Sequence, residues 1–579
     1  MPTPKDLCPV EPCFTLSQFI EDGMNLLDSN TTLLLLPGNH SLEGNITISS
    51  VQYFTIVAPS QSASIICSES AYYEFTDIFG DVYIKGINFI GCAGNKVNCV
   101  HLLIEDCSFY GQGSKGSAIE IVDSYASIQW TLFIGHSAVV GGDGVSGGGA
   151  IKVFHSNLDI AQCLFQNNAA ELGGAIYSEF YSNFTIHNSS FVGNHVTSSR
   201  LNTKTYGGAV YLDTRSIFEV RYTIIFNNTA DRGFGYGGAF GADGWSFIYF
   251  TYCNLRYNIA HKGGAVYAMH TSVTIINSLV ENNRGGYSGG AVFAEQAYLD
   301  VEMSTLSENS AVSGGAIYME QEATSIRLCT FTGNTAERDG GALHVSGVIL
   351  SVHYGNLRRN SAQSGGSIYS SQSTVFVNGT NFSDSVAIHN HGGAISASET
   401  KLRLLRSHFT NNSALVDGGA LYCNGCTIEV AANQFMSNNA SYGGAASFGN
   451  VNFTVNGSLF GNNSALIGGA LHIRSVELNM IYTELSNNNA SVIGGGIFAE
   501  STAIPTLARC QFTGNTAGNS FGGAIYLGTS SNANLIKQVL VEELSTHGEL
   551  PCPLLIVLST ITLLSQVELL VAMMKVSLL

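Results

Sequence analysis

The sequence has few charged residues. Only 11% of its 579 residues are Asp, Glu, Lys or Arg, whereas 45% are apolar and glycine is abundant. This composition excludes a disordered tail and a coiled coil, and it supplies enough apolar material for a core. Basic residues are scarce, because 24 Lys and Arg stand against 42 Asp and Glu, which gives a net charge of −18. Nucleic acid and anionic membranes are therefore disfavoured as partners, and the acidity serves solubility or a weak attraction for calcium.

A secretion signal and an unbroken membrane span are also missing. The N-terminus has neither the basic start nor the apolar run of a signal peptide. An apolar run ends the chain, but Gln566, Glu568 and Lys575 interrupt it. We interpret residues 531–579 as a tail that is either a short membrane anchor or an artefact of the gene model.

Gly-Gly pairs recur from Gly148 to Gly522 in steps of mostly 25 or 26 residues. Each pair precedes a short β-prone run such as AIYSE or AVYLD and follows F-x-x-N-x-A or a close variant. A period this short without a helical pattern is typical of a solenoid in which each coil is one rung. We therefore predict an all-β, single-stranded, right-handed parallel β-helix of about nineteen coils.

The regularity of the repeat divides the chain into four parts. Residues 130–530 form the regular repeat, and residues 29–129 read as less regular first coils. Residues 1–28 are predicted to be an N-terminal cap with a short helix, and residues 531–579 are the tail.

Positions within a coil are numbered from the first glycine of its pair. Positions four and six are apolar, so period-two alternation directs them inward and places positions five and seven on the outer face. On the second strand, Val273, Ile275 and Leu279 are predicted to face inward. The asparagine of F-x-x-N is expected to form a left-handed turn and to hydrogen-bond its stacked neighbour.

The combination of F-x-x-N with GGA-[ILV] resembles the repeat of chlamydial polymorphic outer membrane proteins and related adhesin-like β-helices. The best copies are FTGNTAERDGGALH, FTNNSALVDGGALY, LFGNNSALIGGALH and FTGNTAGNSFGGAIY. The resemblance covers about residues 130–530, and it implies a pectin-lyase-like β-helix with an adhesive role at the cell surface. Only about fifty residues follow the last repeat, which are too few for a bacterial translocator barrel.

The thirteen cysteines fall into three groups. Five occupy a small-residue slot two residues before the inward Phe or Leu, never on adjacent coils, so we predict buried free thiols; these are Cys107, Cys163, Cys253, Cys329 and Cys510. In the irregular first coils a disulfide such as Cys92 to Cys99 is reasonable. Cys423 and Cys426 form a lone C-x-x-C, which argues against zinc.

N-x-S/T sequons are numerous, and they indicate either a glycosylated ectodomain or a by-product of an asparagine-rich repeat. Candidate glycosylation sites are Asn45, Asn183, Asn378, Asn411 and Asn462.

Paired carboxylates were sought because β-helices often cleave polysaccharides. Position seven pairs Glu179 with Asp213, and Glu295 with Glu320, on neighbouring coils, but no basic residue shares their stripe. Asp339 and Asp417 each precede a Gly-Gly pair, three coils apart, and so cannot share a cation. His389 and His391 lack a third ligand, so no metal site is predicted.

Position five predicts an aromatic ladder on the outer face, which either stabilises the sheet by stacking or forms a platform for sugars or a protein. Its candidate binding residues are Tyr177, Tyr211, Tyr267, Phe293, Tyr318 and Tyr369. We predict a non-enzymatic, adhesin-like β-helix protein, extracellular or at the cell surface, that binds glycans or surface proteins along its lateral face and is membrane-attached if the tail is an anchor. The alternatives are a carbohydrate-active lyase or hydrolase using the carboxylate pairs, and a passive spacer.

Overall fold

The computed structural model describes Leu16 and residues 30–542, apart from gaps at 60, 69–70, 140–145, 198–203, 231–233, 475–476, 501–503, 519–521, 528–535 and 538–539. Within this part the chain is an all-β parallel solenoid of about 18 turns, which confirms the predicted β-helix. The predicted cap lies outside the described residues except for Leu16, and so does the tail beyond Glu542. No helix in the described part is long and apolar enough to cross a membrane.

The chain divides into two compact units, Met1–Leu299 and Asp300–Leu579. Strands begin at Asn30–Leu34 in the first unit, and in the second they continue to Leu540–Glu542, beyond the predicted boundary at residue 530. Each regular coil contains up to four short strands, which we call rows one to four, and each pairs in parallel with the same row of the next coil.

Two coils of the first unit carry the surface described below. The strands of the first coil, in row order, are Val210–Leu212, Ile217–Arg221, Ile224–Phe226 and Thr229–Ala230, and an additional strand, Phe234–Tyr236, follows row four. The strands of the second coil are Phe240–Ala242, Phe247–Thr251, Asn254–Arg256 and Ile259–Lys262. The register aligns Ile217 with Phe247 and Ile224 with Asn254.

Four coils of the second unit surround a buried carboxylate. The first of these coils has the strands Ile395–Ser398, Lys401–Leu405, His408–Thr410 and Ser413–Ala414, and the second has Leu421–Asn424, Thr427–Ala431 and Gln434–Met436. The third has Ala446–Gly449, Asn452–Asn456, Leu459–Gly461 and Ser464–Ile467. The fourth has Leu471–Arg474, Glu477–Ile481, Glu484–Ser486 and Asn489–Ile493.

The Gly-Gly pair allows each coil to turn into row one. Gly237 has φ +69°, a conformation that side-chained residues resist. Gly238 has no room for a Cβ atom because the carbonyl oxygen of Gly264 in the next coil lies there. The two glycines thus have different roles, one in backbone conformation and one in close packing of coils.

The interior contains the positions that alternation directed inward. Position four is buried at Ile176, Val210 and Val266, and the second-row residues Val273 and Ile275 are buried as well. The prediction for Leu279 was wrong: the next residue, Val280, is buried and aligns with the Phe or Leu of F-x-x-N, while Leu279 is half-buried.

Phenylalanines at that position stack along the axis. Phe89, Phe109, Phe133, Phe165 and Phe191 of the first unit lie with successive ring centres 4.6, 4.9, 5.0 and 4.7 Å apart.

The asparagines of F-x-x-N form a buried column in each unit. In the first unit Asn228 Nδ2 donates to Asn258 Oδ1, and Asn258 Nδ2 donates to Asn283 Oδ1, each at 3.0 Å. The expected amide contact is therefore confirmed, but the left-handed backbone belongs to the preceding residue, such as Asn227 with φ 55°. In the second unit Ser385 interrupts the column, and Asn360 donates to Ser367 instead.

The interior thiols are free and buried as predicted. Burial raises the pKa of Cys163 to about 12 and that of Cys253 to about 11. The predicted disulfide was wrong, because Cys92 bonds to Cys67 on the adjacent coil, with Cα atoms 5.0 Å apart, and Cys99 is free. The lone C-x-x-C forms a disulfide between Cys423 and Cys426.

Candidate functional surface

The position-five aromatic residues form a ladder, but in the first unit it is buried. Tyr177 and Tyr211 stack at 5.9 Å and Tyr267 and Phe293 at 5.4 Å, and Tyr177 is only 8% exposed. The prediction that these four rings lie on an open outer face was therefore wrong. In the second unit, Tyr318 and Tyr369 are half-buried on either side of His344.

In several coils the residue immediately before the Gly-Gly pair covers this ladder. Tyr236 lies 4.9 Å from the Tyr267 ring, and the Lys262 ammonium lies 4.2 Å over the Phe293 ring. In each case the covering residue belongs to one coil and the covered ring to the next. A glycine, Gly147, occupies the covering position where a Cβ atom would overlap the Tyr177 ring.

The same rule explains the gap in the ladder at Gly241, which has no side chain at position five. Tyr206, from the covering position one coil earlier, lies 5.1 Å from both Tyr211 and Tyr236 and fills this gap. Burial, together with the neighbouring Tyr236 and Asp243, raises the pKa of Tyr206 to about 12. The sequence signal for this cover is the complementary size of two residues, the one before a Gly-Gly pair and the one at position five of the next coil.

The candidate catalytic carboxylates do not form a metal site. Asp213 Oδ1 accepts hydrogen bonds from the backbone N and the hydroxyl of Thr214, and Glu320 accepts one from the Tyr318 hydroxyl at 2.6 Å. Glu179 and Glu295 are half-buried at the ends of row-one strands. No group of three or more His, Cys, Asp or Glu in the described residues could hold a metal ion.

A buried carboxylate that the sequence did not assign to a site is Asp417, in the covering position. Its Oδ1 accepts a hydrogen bond from Ser447 Oγ at 3.0 Å and one from Arg474 at 3.0 Å, and its Oδ2 lies 3.2 Å from His391 Nδ1. Burial alone would raise the pKa of Asp417, but His391, His472 and Arg474 together hold it well below its usual value.

His472 extends this cluster by one more coil. It is buried, with Nδ1 at 3.2 Å from Ser447 Oγ and Nε2 at 3.3 Å from Glu500. We call Asp417, His391, Ser447, His472, Arg474 and Glu500 the Asp417 cluster. Because Ser447 and His472 are closed off from solvent, the cluster links coils and does not present a nucleophile to a substrate.

Exposed aromatic residues are concentrated elsewhere, at a turn of the first unit. Tyr222 and Tyr252 follow the row-two strands of adjacent coils and are 57% and 51% exposed. Their rings are parallel within 1°, with centres 5.1 Å apart. Both have positive φ, 51° and 55°, which bulky residues seldom adopt. Positive φ recurs at this turn in other coils, for example at Asn188, Asn277 and Tyr354, so it belongs to the coil and not to these two tyrosines alone.

Apolar side chains continue this surface onto rows two and three. More than a third of each is exposed at Ile217, Ile224, Phe247 and Tyr249. We call residues 217–226 and 247–256 with their outward side chains the Tyr222 surface. Its charges are two arginines and one glutamate: Arg221 pairs with Glu219 at 2.7 Å, and the Arg256 guanidinium lies 5.5 Å over the Phe226 ring.

Sequence reasoning missed the Tyr222 surface. The turn residue precedes the small-residue slot filled by Thr223 and Cys253, and only the slot itself was assigned a role from the sequence. Two consecutive tyrosines there were the available signal.

Four of the five candidate glycosylation sites are exposed: Asn45, Asn183, Asn411 and Asn462. Asn378 is half-buried, and its Oδ1 is closed off from solvent without a hydrogen-bond partner.

Comparison with known proteins identifies the repeat. A family model of the Chlamydia polymorphic membrane protein repeat matches four stretches, residues 162–179, 328–346, 407–424 and 509–528. Each stretch runs through F-x-x-N and the Gly-Gly pair into row one. The chain therefore carries repeats of this type in a parallel β-helix.

A eukaryotic relative shares part of the sequence. The chain is 27% identical over 146 residues to metabotropic glutamate receptor-like protein R of Dictyostelium discoideum. The match covers 25% of this chain and 8% of that protein's length.

Three solved structures with a similar course of the chain are described next. A variant of the PL6 family alginate lyase AlyGC has 9% identity over 92% of this chain and 98% of its own, with a TM-score of 0.27. Dettilon tailspike protein has 11% identity over 73% and 64%, with a TM-score of 0.20. The A-module of Azotobacter vinelandii mannuronan C-5 epimerase AlgE6 has 9% identity over 79% and 91%, with a TM-score of 0.15. At these TM-scores the likenesses carry no argument about activity.

Proposed function

We propose that this chain is a non-enzymatic, adhesin-like β-helix protein, extracellular or at the cell surface, that binds partners along its lateral face. The observation that carries the proposal is the Tyr222 surface, where aromatic and aliphatic side chains remain exposed in a unit that buries its position-five aromatic ladder. Contiguous exposed apolar surface bordered by polar residues commonly marks an interaction site. The repeats of the polymorphic membrane protein type support a surface location.

An adhesive role also agrees with the contacts that two of the carboxylates make. Glycoside hydrolysis needs two carboxyl groups facing a sugar in an open cleft. Asp417 is instead enclosed by Ser447, Arg474 and His391, and Asp213 is engaged by its own turn. These contacts favour structural roles for Asp417 and Asp213.

The test compares two double variants on an array of glycans and extracellular matrix proteins, with and without calcium. Tyr222→Ser/Tyr252→Ser removes the stacked pair, whereas Tyr354→Ser/Tyr482→Ser removes two tyrosines at the same turn of other coils, with matching φ of 54° and 51° and matching exposure of 58% and 55%. We expect retention on at least one probe, reduced at least about tenfold by the first pair alone.

Three results would contradict this proposal. Retention that survives Tyr222→Ser/Tyr252→Ser would exclude the Tyr222 surface. Cleavage of a retained glycan would favour the enzyme, and no retention on any probe would favour the passive spacer.

A further inference from the structure

The Tyr222 surface has a ring geometry that discriminates between classes of partner. A sugar ring stacks on the open face of an aromatic side chain. Tyr222 and Tyr252 each cover one face of the other, since their planes are parallel and their centres are 5.1 Å apart. The backbone register places Asn188 and Asn277 at the same turn of the coils on either side, so polar side chains flank the outer faces. The pair therefore presents its ring edges and hydroxyl groups to a partner.

The surroundings of the pair have the composition of a protein interface. Tyrosine, arginine and exposed isoleucine and phenylalanine lie together here, and Tyr and Arg are the residues on which protein interfaces most depend. Two tyrosines held by stacking lose little side-chain freedom when a partner docks, which lowers the entropic cost of association.

The charge of the surface is opposite to that of the whole chain. Residues 217–226 and 247–256 contain Arg221 and Arg256 against Glu219, two positive charges against one negative, whereas the chain carries −18. Glu219 already pairs with Arg221, and the Arg256 guanidinium lies 5.5 Å over the Phe226 ring, in register with Glu281 of the next coil. An approaching acidic group would meet the exposed Arg221 side chain and the Arg256 guanidinium at the edge of the apolar side chains, and both guanidinium groups complement its charge.

On this basis we propose that the partner of the Tyr222 surface is a protein segment in which acidic residues flank apolar ones. The apolar residues pack against Ile217, Ile224 and the tyrosine edges, and the acidic residues accept hydrogen bonds from Arg221 and Arg256. This inference rests on the proposed function, because it names the partner of the same surface.

The experiment presents the full chain to one array that carries short random peptides, acidic peptides included, and neutral and anionic glycans. We expect retention on peptides with acidic and apolar residues. Retention should fall at least about tenfold in Tyr222→Ser/Tyr252→Ser and in Arg221→Ser/Arg256→Ser, and it should weaken as salt is raised. Arg327→Ser/Arg406→Ser, which removes two exposed arginines of the second unit, should change nothing.

The outcomes separate the two proposals. Retention on glycans alone, reduced by Tyr222→Ser/Tyr252→Ser, would overturn the protein partner and leave the adhesive function standing. If the chain is retained on peptides and Arg221→Ser/Arg256→Ser is retained equally well, the proposal that the partner carries acidic residues is wrong. No retention on any probe would overturn both.

Discussion

Single residues maintain the alignment of the coils through the buried asparagine column. Each asparagine satisfies a neighbour on both sides: Asn258 accepts from Asn228 and donates to Asn283 and to the Ile225 carbonyl. Replacing one member leaves buried donors and acceptors on two coils without partners. Unpaired polar groups lower the free energy of unfolding only where water is excluded, so the buried column contributes more to stability than equivalent contacts on the surface.

Asn258→Ala should therefore destabilise the first unit by about 1–3 kcal/mol. The midpoint of urea unfolding, followed by circular dichroism, measures this loss. Thr251→Ala, which removes a hydroxyl from the outer face of the same coil, serves as the control. Equal midpoints for the two variants would show that the column does not contribute to stability.

Elements within a coil were predicted well where alternation alone decides the outcome. Val210 and Val273 point inward because period two leaves no alternative for a strand with one buried face. Position five was misjudged because alternation says which side of the sheet a side chain takes, and not whether another segment lies over that side. The cover by Tyr206, Tyr236 and Lys262 is a contact between coils, which no pattern within one strand reveals.

The Asp417 cluster is the part of this cover that responds to pH. The pKa of Asp417 is lowered in the folded protein, so its ionised form contributes stability above its unfolded value of about 3.8. This contribution should begin to fall as the pH drops below that value, and it should be lost as the pH falls further, through the lowered pKa of the folded protein. We expect wild type to lose more stability between pH 6 and pH 3 than Asp417→Asn does.

Urea midpoints at both pH values, measured for wild type, Asp417→Asn and the exposed control Asp384→Asn, test this expectation. The control should show the pH dependence of the wild type. An unchanged pH dependence in Asp417→Asn would mean that the carboxylate is not stabilised by its histidine and arginine neighbours.

The whole chain shows which properties a repeat makes predictable. Period and coil register follow from one phrase, FTGNTA with its Gly-Gly pair, because every copy must satisfy the same neighbours. The Tyr222 surface could not be predicted in this way, since it depends on residues that differ between copies. Function on a repeat fold is located where copies depart from the consensus, and the stacked pair of Tyr222 and Tyr252 on adjacent coils is such a departure.

Sugar attachment should also follow exposure over the whole chain. Produced in a secretory host, the protein should carry glycans at Asn45, Asn183, Asn411 and Asn462, and much less at half-buried Asn378. Glycopeptide mass spectrometry measures occupancy at each site. Equal occupancy at all five would show that attachment does not depend on the folded exposure of the asparagine.

The asparagine column has a final consequence, for how such a gene can change in length. A coil recognises only the same groups in the coil before and after it, so Asn334 and Asn515 are interchangeable as neighbours. Unequal recombination between the FTGNTA segments at residues 331 and 512 would remove whole coils and still join compatible ends. Descendants of this gene can therefore become shorter or longer by whole rungs without a new fold having to be selected.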